Sequence, residues 1–196
     1  MPRLVVLGAV LGVTWAAALR GYMVELAGRD SHVDWGGTFA LILLPGAVVG
    51  ALFGLPEHWR RDGGRRGRRW LALSPVLFAV AALLPPGAFV RFVTTGLGGG
   101  VVGVVGVGLL LGYAISGRGP RWTRVVCAVV GAAMGVGTVA SGALFNPALS
   151  AATARGAWVL VLVAGLLTVL VLVCAIPHRP VVGAAVKSAP PSASPN

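Results

Sequence analysis

The chain has 196 residues, 57% of them hydrophobic and only 11% charged, with a formal net charge of +11. A soluble domain carries about 25% charged residues, and a chain this short cannot hide so much apolar surface from water. The basic excess does not indicate nucleic acid either: six arginines, Arg60, Arg61, Arg65, Arg66, Arg68 and Arg69, crowd between two apolar runs, where positive charge marks membrane topology.

A helix needs about 20 apolar residues to cross a bilayer. Six segments come near that, at about 4–26, 38–55, 70–84, 92–115, 125–145 and 157–176. The expected fold is therefore all-α: a polytopic membrane protein with six transmembrane helices in one domain, residues 1–180. The first run also has marks of a secretory leader, Arg3 followed by an apolar stretch and Ala16-Ala17-Ala18; spanning helix is the expectation, and the later topology is the same either way. The third span is the shortest, ending at Pro85-Pro86, and charge parity supports it. With six spans and both ends in the cytoplasm, only Arg20, Arg29, Arg91 and Arg155 of the 16 basic residues lie outside. Dropping the third span would move Arg118, Arg121 and Arg124 outside, against the positive-inside bias. After Pro180 the chain turns to Ser, Ala and Pro, and 181–196 reads as a disordered cytoplasmic tail.

Small residues recur at helical spacing. Span two carries Gly46, Gly50 and Gly54, and span one carries Gly8 and Gly12. Span four is rich in glycine, including Gly99 and Gly103, and span five has Gly131 and Gly135. In lipid such faces let helices approach closely. Spans one and two, and spans four and five, are expected to form tight hairpins through them.

The polar residues of the first outside segment are the candidate ligand site: Arg20, Glu25, Arg29, His32 and Asp34. Glu25 and Arg29 stand four apart and can pair on an extended helix. Arg20 can pair with Glu25 or Asp34. Asp30, His32 and Asp34 alternate as metal ligands might, but no further ligand is in view, and Asp34 is placed to cap the next helix. No metal or cofactor is expected. The Arg60–Arg69 cluster suits anionic lipid headgroups. Asn146-Pro147-Ala148 resembles the signature triplet of aquaporins. Those proteins carry two copies, however, and the 56–69 loop has none. A cap residue followed by proline at the first helical position explains the triplet equally well.

Arg20 and Met23 after span one, with Trp35, Gly37 and Thr38 opening span two, resemble elements of small uncharacterised bacterial membrane proteins. The resemblance covers about 35 residues and implies no activity. Together with the Ala, Gly, Val and Arg richness, it places the chain in a bacterial plasma membrane. The functional expectation is a non-enzymatic protein that packs with itself or with a membrane complex. The alternative is a small permease or channel for a neutral or anionic solute.

Overall fold

Long runs of Leu, Val, Ala and Gly, with prolines and arginines at their borders, fold into helices that satisfy their own backbone hydrogen bonds. The computed structural model describes residues 2–28, 31–61, 68–87, 90 and 99–178. Among these residues every regular element is helical. The described residues include six α-helices: α1 (Pro2–Ala27), α2 (Leu44–Arg61), α3 (Pro75–Leu83), α4 (Gly99–Ile115), α5 (Arg121–Phe145) and α6 (Ala154–Ala175). Four helical segments are long and apolar enough to cross a membrane: Arg3–Ala27, Trp35–Leu55, Arg121–Leu144 and Ala154–His178. Trp70–Leu83 and Gly100–Ile115 are apolar but shorter. The 181–196 tail lies outside the described residues.

The second long segment begins as a wide helix, Trp35–Leu43, with i→i+5 hydrogen bonding such as Leu44 N to Phe39 O. Pro45 supplies a physical reason. It has no N–H for the carbonyl one turn back, and its ring would press on that carbonyl, so the turns before it widen. Segment three is also composite: a 3₁₀ stretch, Arg68–Leu73, runs into α3, with Pro75 at the first helical position.

The α1–α2 contact is the tightest in the fold. A Cβ built at Gly46 would sit 2.5 Å from the Ala16 Cβ, one at Gly50 2.8 Å from the Gly12 Cα, and one at Gly54 2.5 Å from the Leu4 carbonyl oxygen. The two helices run antiparallel, backbone against backbone. The glycines of α4 work differently, because they point to two partners. A Cβ at Gly106 would meet the Met134 side chain of α5 at 2.6 Å, while ones at Gly108 and Gly112 would meet Leu170 and Cys174 of α6 at 2.6 and 2.5 Å. On α5, one at Gly131 would meet Leu111 at 2.8 Å. Gly135 and Gly103 have looser neighbours, Val107 at 3.8 Å and the Thr138 hydroxyl at 3.4 Å, and Gly99 opens α4. Thus α5 and α6 both seat on α4.

Trp15, midway along α1, joins three helices. Its ring stands edge-on to Phe78 of α3, centroids 5.7 Å apart, and its Nε1 donates to the Leu166 carbonyl of α6 at 2.9 Å. An indole packed into a helix interface, even half-buried, calls for such a partner for its N–H. The core around it contains Ala16, Leu19, Phe53, Phe78, Val163 and Leu170.

Candidate functional site

Two ends of the bundle carry the polar residues. At one end, the C-terminus of α1, the start of the wide helix and the N-terminus of α6 meet. Arg20 projects from the last turns of α1. Its Nη1 donates to Ser31 Oγ at 2.8 Å, its Nη2 to the His32 carbonyl, and its Nε to Thr38 Oγ1 at 3.4 Å. Thr38 is buried. Through these neutral oxygens the guanidinium clamps the connecting loop onto the next helix, and among the described residues the carboxylates expected as its partners, Asp34 and Glu25, do other work. Asp34 caps the wide helix, accepting from Gly37 N–H at 2.5 Å in extended backbone geometry, which satisfies an orphan donor of the first turn. Glu25 reaches Arg155 of α6, with Arg155 Nε 2.7 Å from its Oε2. That pair is too distant in sequence for helical spacing to reveal. Arg29 and Asp30 lie outside the described residues, and His32 is exposed, contributing its carbonyl to the clamp.

The clamp accounts physically for the resemblance elements. Arg20 and Thr38 are bonded to each other, Gly37 donates to the cap, and Trp35 stacks on Phe39 with centroids 4.6 Å apart. Three of the five guanidinium N–H groups are committed inside the protein. Replacing Arg20 with lysine should therefore not rescue the clamp, since one ammonium cannot span three acceptors. The expected result is that Arg20→Lys and Arg20→Ala raise amide exchange of Ser31–Thr38 alike, by about tenfold, the equivalent of one or two lost charge-assisted bonds. The exposed Glu25–Arg155 pair should matter far less, about 0–1 kcal/mol.

Beyond α5, Asn146 Oδ1 accepts from Ala148 N–H at 3.0 Å and caps a three-residue 3₁₀ turn, Pro147–Leu149. The aquaporin-like triplet is thus a local turn, with no half-helix behind it. Thr153 then caps α6 by accepting from Gly156 N–H at 3.0 Å.

At the other end lie the basic residues. Arg60 and Arg61 close α2, Arg68 and Arg69 open the 3₁₀ stretch, and Arg65 and Arg66 fall outside the described residues. Between α4 and α5 the chain turns through Gly117 and Gly119, with φ of 76° and 88°, conformations that favour glycine. Arg124 Nε donates to the Ala114 carbonyl at 3.0 Å, satisfying an orphan acceptor at the C-terminus of α4. Tyr113 stands edge-on to His178, at 5.7 Å.

Between α5 and α6, with α4 as floor, runs an open apolar groove of about 530 Å³. Val107 and Leu111 form its base, and its walls include Gly135 and Ala140 on one side and Ala164 and Thr168 on the other. No family model, curated protein or solved structure matches the chain.

Proposed function

We propose that the chain is a six-span integral membrane protein of a bacterial plasma membrane, with both ends in the cytoplasm, that works by lateral association with itself or with a membrane complex rather than by catalysis. The membrane reading is supported by four exposed tryptophans in the first two turns of helical segments. Trp35 and Trp158 stand at the end that carries the clamp, and Trp70 and Trp122 at the arginine end; each is more than half exposed. From Trp158 to the close of the last helical segment is about 30 Å of helix, matching the hydrocarbon thickness, and such rings favour the two interfaces. The two shorter segments reach about 25 Å each, α4 by its length and segment three because 3₁₀ turns rise faster.

The observation that carries association is a contrast among glycines. Gly8 and Gly12 of α1 and Gly46, Gly50 and Gly54 of α2 are pressed against the partner helix's backbone, whereas Gly137 of α5 and Gly165 of α6 have nothing within 4 Å of a built Cβ. Bare small residues facing lipid are the surfaces at which membrane helices meet. The permease alternative, whose solute-recruiting site is Arg20, Arg29 and His32, is weakened because Arg20 is occupied in the clamp.

A cysteine at Ala133 should crosslink, in native membranes, to a second copy or to another membrane protein. Gly137→Leu should abolish the adduct without shifting thermal unfolding. A strict monomer that captures no partner would overturn the reading. Reporter fusions test the topology separately: external signals are expected after Asp34, Gly87 and Ala151, and cytoplasmic ones after Gly64 and Gly119.

A further inference from the structure

We infer that the α5–α6 groove is a binding site for one anionic phospholipid, its acyl chain lying in the groove and its headgroup on Arg121. The groove has depth because its walls carry glycine and alanine, and because each helix seats on α4 rather than on the other. Its one polar side chain, Thr168, already spends its hydroxyl on the Ala164 carbonyl at 2.8 Å. The lining otherwise offers water no polar side chain, so the groove suits an apolar occupant. The volume is within the range of about 300–1,000 Å³ typical of sites for small molecules.

Charge selects the occupant. The line of α5 that borders the groove at Ala132 and Gly135 continues, at helical spacing, through Ala128 and Val125 to Arg121. Val125 and Arg121 are both exposed. Arg121 stands about 16 Å along the helix from Ala132, so a headgroup bound there leaves its chain to run along α5 into the groove. Arg118 and Arg124 flank the same turn and add positive potential. The track therefore suits a molecule that is apolar along its length and negative at one end. A second copy of the chain belongs to the Gly137 and Gly165 faces, which do not line the groove, whereas Arg121 selects an anionic headgroup. The leaflet that supplies the lipid follows from the proposed topology; the site itself does not depend on it.

The test uses the full chain in phosphatidylcholine liposomes doped with phosphatidylglycerol or phosphatidylcholine carrying a photoreactive acyl chain. Phosphatidylglycerol adducts should concentrate at residues 135–140 and 164–172. Arg121→Ala should lower their excess over phosphatidylcholine adducts by about fivefold, the effect of one basic residue at an anionic surface. Ala164→Trp, which fills the groove from its exposed wall, should remove both adducts while thermal unfolding stays unchanged. Adducts spread evenly over α1 and α5, equal labelling by the two lipids, or crosslinks showing a second copy in the groove would each overturn the site. Groove adducts together with an external reporter signal after Gly119 would support the site and refute the proposed topology.

Discussion

Gly50→Ala should destabilise the protein strongly for the addition of a single methyl group. The Cβ would meet the Gly8 carbonyl oxygen and come within 2.8 Å of the Gly12 Cα. Both obstacles are backbone, so no side chain can rotate away and the helices must part. Overpacking of this kind costs about 1–3 kcal/mol, and the rigidity of the contact places Gly50 at the upper end, roughly 6–12 °C in unfolding temperature for a chain of this size. Gly137→Ala is the control. Its methyl group enters open space, and alanine is the better helix former, so its unfolding temperature should hold or rise. Equal changes in the two variants, followed by tryptophan fluorescence in detergent, would show that the α1–α2 contact does not govern stability.

Trp15→Ala should come next, at about 3 kcal/mol, the low end for removing a large aromatic side chain, because lipid tails replace part of the lost packing. Trp15→Phe separates the two roles of the indole. It keeps a ring against Phe78 and loses only the bond to the Leu166 carbonyl, which is worth about 1 kcal/mol. Should phenylalanine cost as much as alanine, the hydrogen bond and not the ring would be what joins α1 to α6.

Particular residues show how far the sequence was legible. Helix positions were readable because prolines and arginines interrupt the apolar runs, and the i, i+4 glycines of α2 declare a face by themselves. The face of α6 was hidden. It is apolar all round, so polarity does not mark Val159, Val163, Leu166 and Leu170 as its buried side. For the same reason nothing in the sequence says that Gly108 and Gly112 turn to α6 while Gly106 turns to α5. The clamp was half legible. The polar cluster around Arg20 stood out, but charge pairing was the wrong guide to its partners: neutral oxygens are nearer, and the acid on α1, Glu25, finds its cation 130 residues away. The widened turns before Pro45 were foreseeable from proline chemistry in kind, though not in extent.

The close meeting of α1 and α2 also orders the way the chain is made. Everything that contact needs is present by Arg61, and contacts between neighbours in sequence form first. A nascent chain can zip its first hairpin while the ribosome is still translating α4. The bond from Trp15 to Leu166 must wait for the last helix, 151 residues later, which makes the indole the latch that closes a bundle already half built. A defect at Gly50 therefore acts at the start of biogenesis, and one at Trp15 at its end.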